Sequence, residues 1–324
     1  MQFNQNEFLP NLLNLVVMTR INNSVNGRRI NDLLASVFVD PIEYGDGELL
    51  ISVDTLKTSD YSETSSLLKS TKPTINEQYL STTDKKFVAV TLNRYLMKGA
   101  FANEYSLADC LAVIEGMLEK TKNIYCYKKT IMALENWAPT DIAGSPVNDN
   151  TQQITIDLIQ TTGMTGNTLV ETEKANALKV YTTIRNIALN IQAPSRNYNE
   201  LQFEEMYNAD QLNMYINSKF DTQINTYAYA SLLNSEKLNN IEQYKKSIII
   251  PAEQFKSENQ ENLIGWLAVD KKYRIAPRFV LATSFFDGSN LNLNEWLHFW
   301  LVSGFDKGKA MVKFTAKYNA PANK

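Results

Sequence analysis

Residues 106–137, SLADCLAVIEGMLEKTKNIYCYKKTIMALENW, decide the architecture. Ser106 with Asp109 makes a Ser-x-x-Asp helix-start signature, and Pro139 follows the end. Apolar residues recur at 107, 110/111, 114, 117/118, 124/125, 131 and 134, the 3.6-residue period of one amphipathic helix. At ~1.5 Å per residue that is a rod of roughly 45 Å, long for a globular protein. Lys120, Lys122, Lys128 and Lys129 are offset by Glu115, Glu119 and Glu135, so the rod is close to neutral. Cys110 and Cys126 are separated along it by roughly 24 Å. They cannot pair or share a metal, and they read as small buried hydrophobes.

Upstream of the helix, two strand-like runs, Ser36–Asp40 and Leu49–Val53, flank a turn containing Gly45-Asp46-Gly47. Residues 54–73 form a long polar loop rich in Ser, Thr, Asp and Lys, with little to bury except Leu67 and Leu68. Strand-like segments at 74–80 and 87–92 follow it. Polar strands around a polar tip make a two-stranded arm, which is marginal alone and needs a partner surface. Residues 1–36 are Asn-rich, with one short amphipathic patch at Phe8, Leu12, Leu13, Leu15 and Val16. Such a patch is too small for a core of its own and must lie on something else.

Downstream, a strand is expected at 154–159 and a second helix from Thr168, boxed by Glu171, to Ile191. A short strand at 212–216, a helix over 221–233, and strands at 247–251, 263–269 and 275–286 come next. The last part alternates Leu291, Leu293, Trp296, Phe299 and Leu301, then reaches Ala310–Thr315. Helices and strands mix without βαβ regularity, so the fold class is α+β. There is no internal repeat of 20–50 residues.

Composition removes most chemistry. The 324 residues carry 32 Lys and Arg against 35 Asp and Glu, a net charge of −3, which excludes a polyphosphate binder working by charge neutralisation. One histidine, His298, excludes zincin-type motifs and mechanisms needing two imidazoles; two cysteines cannot build a disulfide framework or a four-ligand zinc site. There is no GxxxxGK[ST], no strand-borne GxGxxG and no GxSxG; Gly163-Met-Thr-Gly166 is a turn. His298, between aromatic neighbours and with Glu295 on the other strand face, reads as a packed or interface histidine. The acid pairs Glu204/Glu205 and Asp46/Glu48 read as solvated turns, and the lysines at 307–324 as a solvated basic tail. No catalytic residue, metal site or cofactor is expected. No basic n-region opens the chain and no window approaches 18 apolar residues, so a soluble protein without a membrane segment is expected. The 35 asparagines fit the coding bias of an AT-rich genome.

The order of parts (polar arm, strand, long hairpin, long capped helix, mixed region, returning strands) resembles the Hong Kong 97 capsid fold with its N-arm, E-loop, P domain with spine helix, and A domain. More narrowly it is similar to the major capsid proteins of small short-tailed phages of the phi29 type. The residues that carry this are Asn93-Arg-Tyr-Leu-Met-Lys-Gly-Ala-Phe101 before the helix, Ile124-Tyr-Cys-Tyr-Lys-Lys within it, Asn262-Leu-Ile-Gly-Trp-Leu-Ala-Val-Asp270, and the aromatic region Phe285 to Phe305.

The resemblance implies an N-arm at 1–36, a P-domain strand region at 37–53 and an E-loop at 54–78. It further implies a P domain at 79–150 including the spine helix 106–137, an A domain at 151–285, and a P-domain return at 286–324. It implies a structural virion protein, assembled in the host cytoplasm, whose partners are copies of itself in pentamers and hexamers. A portal, a separate scaffolding protein, and double-stranded DNA held by enclosure complete the set. Tyr61, Leu67, Leu68 and Lys69 of the E-loop with Phe8 and Leu12 of the arm are the interface candidates. Lys57, Lys69 and Lys72 have no recognisable crosslinking partner, and no crosslink is expected. No further C-terminal Ig-like domain and no charged helical N-terminal extension are expected. An encapsulin-like cargo compartment, a tail component, and a hydrolase using Asp and Glu alone stand as alternatives.

Overall fold

A computed structural model describes residues 31–42, 45, 47–58, 60, 72–93, 104–140, 145–146, 153–158, 174–224, 244–260, 262–287, 289 and 292–316. Two compact units are built from interleaved pieces of chain. The first takes Met1–Glu48, Tyr79–Thr130 and Tyr273–Gly304; the second takes Leu49–Gln78, Ile131–Lys272 and Phe305–Lys324.

The elements of the first sheet are β1 (Gly47–Val53), β2 (Ile75–Asn93), β7 (Tyr273–Asp287) and β8 (Asn292–Phe305), hydrogen-bonded in the order β1-β2-β8-β7. The strand expected at 275–286 thus belongs to this sheet, and the expected boundary at 285 falls inside β7. β2 and β8 pair antiparallel, with Phe87 opposite His298 and Val90 opposite Glu295. Segments expected as two strands, 74–80 and 87–92, are one continuous strand of 19 residues. The interruption is a bulge between Thr82 and Asp84, not a break. Tyr125 Oη donates to Asp84 Oδ1 (2.7 Å), Lys129 pairs with Asp84, and Lys129 Nζ donates to Thr83 Oγ1 (2.9 Å), so side chains hold the bulge.

Ser36–Asp40, expected as a strand, is not one. Asn31 Oδ1 accepts from Leu33 N–H (3.1 Å) and starts a short helix, α1 (Asp32–Ala35), which buries Leu33 and Leu34. Only Phe38 then bridges to Ile275. Local capping overrides the β-branched run here.

The long helix, α2, spans Glu104–Glu135, 32 residues. It begins two residues before Ser106, which therefore lies in the first turn rather than capping it. Ile114, Leu118, Lys122, Cys126, Thr130 and Leu134 are buried at a strict four-residue spacing. Four residues overshoot a turn, so the buried stripe winds by about 200° from Ile114 to Leu134 and the two halves bury different sides. Ile114 and Leu118 pack with Val88, Val90, Leu92, Val280, Ala282 and Leu297 on one face of the four-stranded sheet.

The second unit holds a five-stranded sheet of β3 (Thr155–Asp157), β4 (Leu212–Asn217), β5 (Lys246–Ile250), β6 (Leu263–Val269) and β9 (Met311–Thr315), in the order β3-β9-β6-β4-β5. Every residue of β4 and β6 is buried, as both faces of a central strand require. α3 (Lys174–Gln192) covers it with Val180, Ile184, Ile187, Ala188 and Ile191, at helical spacing. The second helix's expected start, Thr168 with Glu171, lies outside the described residues. The helix expected at 221–233 is α4 (Ser218–Ile224) as far as described.

Candidate assembly surface

Phe8, Leu12, Tyr61, Leu67, Leu68 and Lys69 lie outside the described residues. What is described is the base on which the 54–78 loop stands. Asp54 N–H donates to Thr74 O (2.9 Å), closing β1 and β2 beneath the loop. Along β1 the side chains alternate: Glu48, Leu50 and Ser52 are half-buried, whereas Leu49, Ile51 and Val53 stand 53%, 60% and 49% exposed. Ile75 on β2 is equally exposed. An apolar row on an edge strand is a liability for a solitary subunit and an asset only where another surface covers it.

The base is tied down at two points. Gln78 Nε2 donates to Phe305 O (2.7 Å), and its Oε1 accepts from Lys307 N–H (3.1 Å). On the other side Arg196 Nη1 donates to Asp54 Oδ2 (2.8 Å) and Nη2 to Glu204 Oε2 (3.4 Å). Glu204 N–H donates to Asp54 Oδ1 (3.1 Å), and Thr55 Oγ1 donates to Glu204 Oε2 (3.0 Å). The Arg196 guanidinium holds the Asp54 carboxyl below its ordinary pKa. Glu204 is therefore paired rather than simply solvated, and so is Glu48, whose carboxylate takes Arg274 Nε (3.2 Å).

Beneath the Gln78 anchor lies a buried ion pair. Lys272 Nζ, fully enclosed, reaches Glu200 Oε1 (2.9 Å) and Asp306 O (2.7 Å), with the Trp137 ring 5.8 Å away. Trp137 Nε1 (3.4 Å) and Thr140 N–H (3.3 Å) also donate to Glu200. Burial lowers the Lys272 ammonium's pKa, opposed by the Glu200 carboxylate. The pair holds together the chain around residues 137–140, 200 and 306.

His298 packs as its sequence suggested: its ring is 5.9 Å from Phe87 and Nε2 is 3.3 Å from Thr283 Oγ1. This is the face of the four-stranded sheet away from α2, where Phe87, Phe279, Leu281 and Phe285 are exposed. Among the described residues no group of three His, Cys, Asp or Glu could hold a metal ion, and no helix is long and apolar enough to cross a membrane. Sequence reading missed the Asp54–Arg196–Glu204 and Gln78–Phe305 ties. They join residues 142 and 227 positions apart, which no local pattern signals.

The fold has counterparts among solved capsids. The chain is similar to the capsid of Staphylococcus phage Andhra at 11% identity and a TM-score of 0.58, covering 91% of this chain and 85% of that one. The capsid of cyanophage P-SCSP1u gives 11% identity and 0.58, covering 91% and 90%. The mature capsid of bacteriophage PhiM1 gives 5% and 0.52, covering 91% and 90%. These likenesses concern the Hong Kong 97-type fold. A search of curated protein sequences matched none. Residues 1–315 match the family described as Phi29-like phage major capsid protein, which separates the chain from the compartment, tail and hydrolase alternatives. An exposed apolar row on an edge strand, a long helix and two mixed cores are thus parts of a virion shell subunit, and the chain belongs to the phi29-like phage major capsid proteins.

Proposed function

We propose that this capsid protein assembles in the host cytoplasm as pentamers and hexamers of one chain, closing an icosahedral shell that holds double-stranded DNA by enclosure. The observation that carries this is the exposed row Leu49, Ile51, Val53 and Ile75 at the base of the 54–78 loop. A rotationally closed ring repeats one heterologous contact, so each copy must offer a donor patch and a different receiving patch. The arm at 1–36 and the E-loop at 54–78 are the donors. The spine helix and the exposed face of the four-stranded sheet are the receivers. The P domain comprises 37–53, 79–150 and the return at 286–324, to which we add 273–285 because β7 pairs with β8; the rest of 151–285 is the A domain. A near-balanced charge lets copies pack without strong self-repulsion. The subunit works as a building part rather than an enzyme. A portal and a separate scaffolding protein complete the assembly.

Removing residues 55–72 tests the hairpin assignment. The truncated chain is expected to stay folded and soluble and to form no closed shells by negative-stain electron microscopy, while the full chain gives rings or closed particles of uniform diameter. Normal shells from the truncated chain would overturn the assignment.

A further inference from the structure

Four strands lie at sheet edges, β1 and β7 in one sheet and β3 and β5 in the other. A sheet edge presents unpaired main-chain N–H and C=O groups, and soluble chains blunt it with charge, proline or brevity. β3 has three residues, β5 opens on Lys246 and stops at Pro251, and β1 carries Glu48 and runs into Asp54. β7 is different. Its residues 279–286 read FVLATSFF, with no charged residue, proline or glycine.

The first half of β7 fixes which of its groups point outwards. Ile275 N–H donates to Val37 O (2.9 Å), Val39 N–H to Ile275 O (3.1 Å) and Ile42 N–H to Pro277 O (2.9 Å), so residues 37–42 cover the edge at 275 and 277. Main-chain groups alternate sides along a strand, so Phe279, Leu281, Thr283 and Phe285 also turn theirs away from β8. Among the described residues no strand pairs with them. Their side chains share the aromatic side of the sheet, where Phe279, Leu281 and Phe285 are 37%, 38% and 60% exposed. An uncharged, exposed edge of this length is what strand addition requires.

We propose that this edge pairs antiparallel with the same edge of a second copy, about a two-fold axis at Ala282. An isologous contact needs a self-complementary patch, and this one complements itself. In that register Phe279 meets Phe285 of the other copy, Leu281 meets Thr283, and about eight main-chain hydrogen bonds form. Arg278, whose guanidinium lies over the Trp300 ring (5.7 Å) on the aromatic side, comes within one residue of the position opposite Asp287 of the other copy. Opposite charges thus meet at both ends of the paired segment. Taking a copy of this chain as the occupant rests on the shell reading. The ring contact of that reading is heterologous, whereas this isologous one joins a subunit of one ring to a subunit of the next.

Leu281 tests the edge without disturbing the β7–β8 ladder, because its N–H points outwards. Leu281→Pro removes that donor, at a position equivalent to the Pro277 that β7 already holds. Leu281→Lys adds a blunting charge and leaves the backbone alone, so it decides the matter if the proline variant fails to fold. In the wild-type full-length chain, amide hydrogen exchange of peptides covering 279–287 is expected to slow about tenfold from dilute subunits to associated chains. Both variants should abolish that slowing, while Met206→Lys, a change at a residue 68% exposed in the other unit, should behave as wild type. In associated Leu281→Cys chains, a bismaleimide spanning about 8 Å should link residue 281 to residue 281 of another copy, identified by mass spectrometry, since they are diagonal neighbours. A wild-type chain that never associates, or exchanges equally fast alone and associated, overturns the pairing. So does protection already complete in the dilute subunit, which gives the edge to the chain's own segment. Protection on association without the 281–281 link gives it to another segment of the neighbour, and overturns the pairing too. Linked dimers that never form shells in electron micrographs leave the pairing standing and remove the shell reading instead.

Discussion

Glu295 is 1% exposed on the side of β8 that also carries Leu297, and its Oε1 has no hydrogen-bond partner among the described residues. Burial raises its pKa to about 8. The folded chain keeps the proton up to that pH, while the unfolded chain loses it near the ordinary glutamate value. Stability therefore falls as pH rises from about 4.3 towards about 8 and is flat above. Glu295→Gln should remove this slope, raising the melting temperature at pH 8 and matching wild type near pH 4.5; an equal shift at both values would refute it. Lys272 presents the opposite case, a buried charge that is paired. Lys272→Ala strands the Glu200 carboxylate and should cost about 3–5 kcal/mol in denaturant unfolding, whereas the joint change K272M/E200L should recover most of the loss. Of these properties the sequence shows only some. Cys126 was legible as a small buried hydrophobe and is 0% exposed, its thiol pushed up to about 11 by burial. Nothing local in the sequence marks Lys272, because its partners lie 72 and 34 positions away.

Among the elements, those with a strong local period were the legible ones. α2 was readable from its apolar spacing to within two residues at each end, and β6 from its unbroken apolar run, because both bury what they display. α1 was missed because one Asn31 side chain decides it, and the continuity of β2 because a bulge held by Asp84 looks, in sequence, like a polar gap. Two glycines test these elements in opposite directions. A Cβ on Gly265 of β6 would lie 2.1 Å from the Tyr215 carbonyl oxygen, so Gly265→Ala should destabilise by about 1–3 kcal/mol. A Cβ on Gly116 of α2 meets nothing within 4 Å, so Gly116→Ala should stabilise by about 0.4–1 kcal/mol. Chemical denaturation midpoints read both, and a reversed order would contradict the described backbone contacts.

At the scale of the molecule, fold class and family were legible from the order of parts, since that order follows from which segments can form a core and which need a neighbour's. The candidate surface was not. The hairpin was visible as a polar loop, but its exposed apolar base needed the pairing of Asp54 with Thr74 to put Val53 and Ile75 at the foot of one hairpin. The shell test by deletion of 55–72 belongs to this scale. It removes the donor while leaving both cores intact.

The order β3-β9-β6-β4-β5 carries a consequence for timing. β9 lies between β3 and β6 in the sheet, yet it is the last of the strands to leave the ribosome. β3 emerges early and must wait for Met311–Thr315 before it gains its neighbour. While the chain is still being translated, β3 stays unjoined to the rest of its sheet, and the turn that receives Gln78 does not yet exist. The Gln78 anchor at the foot of the 54–78 loop is thus completed only once the last strand-bearing stretch of the chain has emerged.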